Sequence, residues 1–269
     1  MGTQNNFKIF GHRGYSGLYP ENTIEGFKKA IETKIDGIEW DIVINKNLEL
    51  IISHEPFIDL NYCQKFGKTK LINKRSNDLN IFQMTKEEIK SFDCGSKINK
   101  KFPNQKKQKA TKPTLKELEN ELKAYKGTVL FEIKHHQRYI GKYYPKTKKY
   151  AEIIYEHVIK SSLLNQYIFM SFDFEILNEL NKLLPKSKMV FLINNPFKTY
   201  KKIRKEIVFC PFALGIDQNI ITKKIIQKAK KDNILTYVWT VNSINQKKKL
   251  IKLGVDGIIT DYPDILIKS

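Results

Sequence analysis

The chain has 269 residues and a strongly basic composition, with 48 Lys and Arg against 28 Asp and Glu and a net charge of +20. This length suits one (β/α)8 barrel of about 250 residues, or two ordinary domains. No apolar run is long enough to span a membrane as a helix. The lysines are spread along the whole chain, so the base composition of an AT-rich genome explains the charge better than a nucleic-acid surface does, and we expect no nucleic-acid partner.

The cysteines and the amino terminus predict a cytoplasmic protein. Cys63, Cys94 and Cys210 are the three cysteines, and none belongs to a CxxC pair. A sparse, odd set argues against a disulfide framework and for a reducing compartment. The first residues, MGTQNNFKIF, do not combine a basic region with an apolar one, so we expect no signal peptide.

The first third of the chain reads as strand, helix, strand, strand. The apolar run FKIF precedes a helical pattern over 22–33, where Asn22 is the expected cap and Glu25 its capping-box partner. GIEWDIVIN and LELIISHE then read as strands. Residues 56–113 are polar and Lys-rich and break the rhythm, so we predict an insertion that carries one short helix at TKEEIKSF.

After residue 113 the alternation of helices and strands resumes. Helices are predicted over 114–125, 149–162, 173–184, 222–233 and 244–254, and the strands between and after them are GTVLFEIK, YIFMSF, KMVFLIN, ALGID, LTYVWTVN and GIITDYP. About eight strands that alternate with helices predict parallel pairing and a (β/α)8 barrel. The alternative is an open doubly wound sheet, which favours GxGxxG after the first strand, and that motif is absent.

In such a barrel the active site forms at the carboxyl ends of the strands, and charged residues cluster there in this chain. His12 and Arg13 follow the first strand, between two glycines. Because side chains alternate along a strand, Glu39 and Asp41 share one face of the second strand. Two such carboxylates tolerate each other best with a cation between them, and oxygen ligands suit Mg²⁺ or Ca²⁺. Taken alone, however, these two acids are explained more simply by an ion pair with a lysine than by a bound metal ion.

Two further strand ends strengthen the metal interpretation. Glu132 and Lys134 lie on one face of VLFEIK, which adds a third acid and a cation suited to a bound anion. His54 follows another strand, so that one histidine could accept a proton while His12 donates one, or the reverse. Arg13 offers a guanidinium fork that matches a phosphate.

Other polar residues carry less weight. We expect His135 and His136 to lie on the surface, and the basic run over 97–112 to be a solvated loop. Trp239 could line a pocket or simply fill the top of the barrel. Three residues could hold loops or cap helices: Ser171, Asp173 and Asp261.

The ordered motifs resemble those of the glycerophosphodiester phosphodiesterases. They are HRGYSGLYPENT, EWDIVI, ISHE, FEIK, YVWTVN and GVDGIITDYP, with FDCGSKINKKFP and KPTLKEL in the insertion. The resemblance implies a (β/α)8 barrel with a small inserted subdomain. It also implies hydrolysis of glycerophosphodiesters, such as glycerophosphocholine, to glycerol 3-phosphate and an alcohol.

The resemblance also implies a role for each candidate residue. Three acids would bind one divalent cation, Mg²⁺ or Ca²⁺: Glu39, Asp41 and Glu132. His12 and His54 would be the catalytic pair, and three residues would bind substrate: Arg13, Lys134 and Trp239. The chain departs from the family at Glu55, where Asp is usual, which changes the geometry of any acid that orients His54.

Three other functions compete with this one. A lysophospholipase D would use the same site at an anionic membrane, with Tyr15, Leu18 and Tyr19 as an apolar rim. A nucleic-acid-binding protein would need clustered basic and aromatic residues. A catalytically inactive scaffold would not need the two histidines and three acids. The expected partner is a small phosphodiester, with weak association with anionic membranes as a second expectation, and the oligomeric state is open.

Overall fold

The protein is a closed barrel of eight parallel strands, in a computed structural model that describes residues 7–67 and 75–268. The barrel strands are β1 (Lys8–Gly11), β2 (Gly37–Ile44), β6 (Thr128–Ile133), β7 (Tyr167–Ser171), β8 (Lys188–Ile193), β9 (Ala213–Asp217), β10 (Leu235–Trp239) and β11 (Gly257–Thr260). Strand β1 pairs with both β2 and β11, which closes the ring. The predicted (β/α)8 barrel is confirmed.

Strand β3 (Leu50–Ile52) lies outside this ring. It runs antiparallel to the end of β2, with Ile42 opposite Ile52. The hairpin returns the chain to the carboxyl edge of the barrel, where the backbone N–H of Ser53 donates to the Asp41 carbonyl at 3.0 Å. His54 therefore reaches the strand ends by a hairpin and not by a barrel strand of its own.

Helices surround the barrel strands and follow the predicted order. They are α1 (Ile24–Glu32), α2 (Lys86–Lys90), α3 (Leu115–Glu121), α4 (Thr147–Val158), α5 (Phe174–Leu183), α6 (Tyr200–Glu206), α7 (Lys223–Lys231), α8 (Ile244–Leu253) and α9 (Pro263–Ile267). The sequence patterns did not predict α6 or α9. The side chain of Thr23 caps α1 and accepts from the N–H of Gly26, so the assignment of the cap to Asn22 was wrong.

The alternation along β2 separates the core from the site. Ile38, Trp40 and Ile42 are fully buried in the core between the strands and the helices. The Trp40 ring packs edge-on against Phe27 of α1, with 5.8 Å between centroids. Full burial of such a side chain stabilises the fold by about 2 kcal/mol. This packing fixes the face of β2 that carries Glu39 toward the barrel interior.

The predicted insertion contains β4 (Gln64–Lys65), β5 (Phe92–Asp93) and α2. The two short strands pair antiparallel, and residues 68–74 of this segment lie outside the described residues. Cys63 and Cys94 form a disulfide, which the argument against a disulfide framework did not anticipate. The two cysteines are separated by 31 residues, and no spacing motif marks such a pair. Within the described parts of the chain, none of the helices has the length and apolar character needed to cross a membrane.

Candidate functional site

The turn after β1 has a backbone conformation that brings Arg13 to the second strand. Arg13 has a positive φ of 52°, and its N–H donates to Glu39 Oε2 at 2.8 Å. Gly14 follows with a φ of 85°, and a Cβ there would lie 2.8 Å from the Gly26 backbone. Glycine is therefore required at this position, because any side chain would collide with α1.

His12 is held by the carboxylate of Asp261, the residue that directly follows the last barrel strand. Its Nδ1 lies 2.6 Å from Oδ1 of Asp261, and that carboxylate also accepts from Ser16 Oγ and Asn242 Nδ2, each at 2.7 Å. Burial opposes ionisation of Asp261, but His12 and these donors hold its pKa well below the usual range. Burial and the nearby Arg13 charge lower the pKa of His12, which favours its neutral form.

Three buried carboxylates form the acidic cluster Glu39, Asp41 and Glu132. Each offers an oxygen within 4.8 Å of the others, and Glu39 is 0% exposed. Its Oε1 is buried and has no hydrogen-bond partner among the described residues. Burial, then the charges of Asp41 and Glu132, raises the pKa of Glu39 well above its usual value. The donor set and the unpartnered oxygen fit a divalent metal ion, which these acids could hold.

Two cations border the acidic cluster. Arg13 Nη1 lies 2.8 Å from Glu21 Oε1, and its Nε lies 3.4 Å from Asp41 Oδ2. Lys134 Nζ lies 2.8 Å from Asp41 Oδ1 and also contacts Glu132. Burial opposes ionisation of Asp41, but Lys134, followed by other cations, lowers its pKa below the usual range. Both cations are thus already paired with carboxylates.

The second histidine has a carboxylate partner of its own. His54 Nδ1 lies 2.6 Å from Glu55 Oε1, so the longer acid in place of the usual Asp still reaches the imidazole. The hydrogen bond from His54 lowers the pKa of Glu55. Ser53 Oγ donates to the Glu55 carbonyl at 2.7 Å and fixes the turn.

Trp239 stands apart from this network. It is half-buried at the end of β10, and its ring lies perpendicular to that of Phe172 with 5.4 Å between centroids. Its Nε1 is buried without a hydrogen-bond partner among the described residues. The structure therefore brings seven of the eight predicted residues into one network of contacts and charges, with Trp239 beside Phe172.

The structure corrects the assignment of His135 to the surface. His135 is 7% exposed, and its Nδ1 lies 2.8 Å from Asp173 Oδ2. Asp173 also caps α5, and its burial next to the imidazole explains why the polar His135 is tolerated inside. His136 is exposed, as predicted.

Sequence reasoning missed two residues of the site, one that holds Asp41 of the acidic cluster and one that pairs with Arg13. Asn22 Nδ2 donates to Asp41 Oδ2 at 2.7 Å, and Asn22 Oδ1 accepts from the Asp41 N–H at 3.2 Å. Glu21 pairs with Arg13. Asn22 has a positive φ of 55°, a conformation for which asparagine is enriched, and that preference was the available signal.

Comparison with known proteins identifies the family. The family model of the glycerophosphoryl diester phosphodiesterase family matches residues 12–265. A glycerophosphodiester phosphodiesterase of Caldanaerobacter subterraneus is 30% identical over 96% of both chains. A human lysophospholipase D is 23% identical over 95% of this chain and 83% of its own.

A solved structure has the same fold. It is a phosphodiesterase of Oleispira antarctica in complex with the product sn-glycerol-3-phosphate, with a TM-score of 0.76, 19% identity, and coverage of 97% of this chain and 95% of that one. The match of the family model to nearly the whole chain decides the assignment. The chain is an enzyme of the glycerophosphoryl diester phosphodiesterase family.

Proposed function

We propose that the protein hydrolyses glycerophosphodiesters, such as glycerophosphocholine or glycerophosphoethanolamine, to glycerol 3-phosphate and an alcohol. The observation that carries this proposal is the pair of imidazoles beside the acidic cluster, each with Nδ1 against a carboxylate. The Oleispira structure with sn-glycerol-3-phosphate supports the same product. We further infer a single barrel domain with an insertion at about residues 56–113.

One divalent cation, Mg²⁺ or Ca²⁺, would be held by Glu39, Asp41 and Glu132. Hard cations prefer such oxygen ligands. When bound, it supplies positive charge that neutralises the phosphodiester oxygens. The remaining chemistry belongs to the side chains around the cluster.

The two histidines are proposed to move the protons. A carboxylate at Nδ1 orients each imidazole and leaves Nε2 for the substrate. One histidine takes the proton of the attacking oxygen, and the other gives a proton to the oxygen of the leaving alcohol. If water attacks, these two transfers complete the hydrolysis to glycerol 3-phosphate and the alcohol. If the glycerol 2-hydroxyl attacks, they release the alcohol and leave a cyclic phosphate, which water then opens to glycerol 3-phosphate with a second pair of proton transfers.

Three residues are proposed to bind substrate. Arg13 lies between Glu21 and Asp41, so its guanidinium, whose fork matches a phosphate, is held beside the cluster. Lys134 places a second cation beside the cluster. Trp239, at the mouth of the barrel, would contact the glycerol or the alcohol. A cytoplasmic location and weak association with anionic membranes stay predictions.

The test is release of glycerol 3-phosphate from glycerophosphocholine, with Mg²⁺, with Ca²⁺ and with EDTA. We expect release that requires a cation and falls by about 10²-fold or more in His54→Ala. His157→Ala on α4 is the matched control, because His157 pairs with Glu119 and is not part of the site, and its turnover should be unchanged. Full activity in excess EDTA, or an active His54→Ala variant, would contradict the proposal.

A lysophospholipase D is the second candidate, favoured by the human relative of that name. The apolar rim expected for it is reduced, because Tyr15 is buried and only Leu18 and Tyr19 are partly exposed. A higher kcat/KM for lysophosphatidylcholine than for glycerophosphocholine would support this candidate over the first.

A further inference from the structure

A buried lysine of the insertion reaches the site beside His54. The Pro113 carbonyl accepts from the Ile52 N–H at 2.9 Å, and Thr114 pairs with Ile51 in an antiparallel bridge. The segment before α3 thus lies along β3, which leads directly to His54. Lys112 is in this segment and is only 4% exposed.

Lys112 has no ion-pair partner, in contrast to the other cations near the cluster. Over residues 7–67 and 75–268, no carboxylate oxygen lies within 4.0 Å of its Nζ, whereas Arg13 and Lys134 each have a carboxylate at 2.8 Å. Burial lowers the pKa of Lys112, and the charges of Glu21, Glu55 and Asp41 oppose that effect. Lys112 directly precedes Pro113, whose carbonyl bonds to Ile52 two residues before His54, so the segment that carries the ammonium lies beside the site.

Tyr62 provides a second unpartnered group next to Lys112. Lys112 Nζ lies 5.5 Å from the centre of the Tyr62 ring. Tyr62 is 8% exposed, and its hydroxyl is buried without a hydrogen-bond partner among the described residues. The disulfide of Cys63 to Cys94 adjoins Tyr62, and the Cys94 N–H donates to the Ala110 carbonyl at 2.7 Å, two residues before Lys112. The insertion therefore holds both groups in place.

We propose that Lys112 and Tyr62 form a substrate-binding position, in which the ammonium and the phenol hydroxyl donate to an anionic oxygen of the substrate. This inference rests on the proposed function and adds to it a contribution from the insertion. A buried ammonium without a carboxylate partner is costly, and an anionic ligand offsets that cost. The oxygen belongs either to the phosphate or to a carboxylate on the alcohol, as in glycerophosphoserine.

The test compares Lys112→Met with Lys116→Met, which changes an exposed lysine of α3 four residues further along the chain. KM and kcat are measured with glycerophosphocholine and glycerophosphoserine, and binding of sn-glycerol 3-phosphate is measured by calorimetry. We expect KM to rise about 10- to 100-fold in Lys112→Met with little change in kcat, since a charge-assisted hydrogen bond is lost. Lys116→Met should behave as wild type.

Comparison of the two substrates shows whether the bound oxygen belongs to the phosphate or to the alcohol. A KM rise with both substrates, together with weaker binding of sn-glycerol 3-phosphate, means that Lys112 and Tyr62 bind a phosphate oxygen. A KM rise with glycerophosphoserine alone means that Lys112 and Tyr62 bind the carboxylate on the alcohol. Unchanged KM and unchanged binding would overturn the proposal.

Two conservative variants keep the test valid if Lys112→Met does not fold. Lys112→Arg should retain most of the affinity, and Tyr62→Phe, which loses only the unpartnered hydroxyl, should raise KM about 2- to 10-fold. Wild-type KM in Tyr62→Phe together with unchanged affinity in a folded Lys112 variant would also overturn the proposal. If wild type turns over neither substrate, the proposed function fails, while the calorimetry still decides whether Lys112 binds the phosphate.

Discussion

The acidic cluster should destabilise the protein without a cation and stabilise it with one. The cluster offers one oxygen from each acid within 4.8 Å of the others, and two full charges at that limit repel by about 3.5 kcal/mol at an effective dielectric constant of about 20. The pKa of Glu39 is raised in the folded state, by burial first and then by Asp41 and Glu132. Its contribution to stability is therefore complete below the unfolded value of 4.5 and is lost as the pH rises through the folded pKa.

Glu39→Gln isolates this effect, because the amide keeps the shape and removes the charge. Lys134 offsets part of the repulsion, so in EDTA at about pH 7.5 we expect the variant to be more stable by about 1 to 2 kcal/mol, or about 2 to 8 °C in Tm. In Mg²⁺ at about a hundred times its Kd the order should reverse, since wild type gains about 2.7 kcal/mol and the variant much less. Differential scanning calorimetry of both proteins, with EDTA and with Mg²⁺, measures whether the order of their Tm values reverses.

One control variant and two possible results test whether the carboxylates repel each other and bind the cation. Glu156→Gln changes an exposed acid on α4 and should leave Tm within about 1 °C of wild type in both buffers. If Glu39→Gln melts below wild type in EDTA, the carboxylates do not repel as argued. If Mg²⁺ shifts both proteins equally, the ion binds elsewhere.

The carboxylate that holds His12 and the disulfide of the insertion allow further tests. Asp261→Asn should lower kcat about 10²- to 10⁴-fold in steady-state assays, because an amide donor at Nδ1 favours the wrong tautomer, and an unchanged kcat would exclude this positioning role. By NMR, the pKa of His12 should lie below 6.5 in wild type, because burial and Arg13 lower it. In Asp261→Asn the pKa of His12 should be lower still, because the variant loses a negative charge that raises that pKa. A higher pKa of His12 in the variant than in wild type would contradict this expectation. Cys63→Ser removes a link to Cys94 across 31 residues; it should cost about 4 kcal/mol, or about 8 to 15 °C in Tm, and an unchanged melting curve would refute it.

Periodicity was enough to predict the barrel and the acidic cluster. The alternation along β2 places Glu39 and Asp41 on one face, opposite the buried Trp40. Parallel strands bring their carboxyl ends to one edge, which brings Glu132 close to both acids. These predictions needed only the side that each residue faces and the end of the strand at which it lies.

The partners of those residues could not be predicted in the same way. Asparagine is a common residue at helix caps, so the sequence suggested that role for Asn22. Its contact with Asp41 depends instead on a backbone turn with positive φ. The disulfide and the burial of Lys112 depend on how the insertion folds back along β3. Periodicity reports which way a side chain points, but it does not report which distant residue meets it.

The contact between His12 and Asp261 also sets a time at which the site can first exist. The two residues are separated by 249 positions in the chain, and at synthesis rates of about 5 to 20 residues per second the ribosome needs about 12 to 50 s to add the second after the first. Until β11 is made, β1 lacks one of its two neighbours and His12 lacks its carboxylate. A nascent chain that ends before Asp261 can therefore carry the acidic cluster but not the complete pair of oriented histidines, so the proposed hydrolysis begins only after the ribosome has added Asp261.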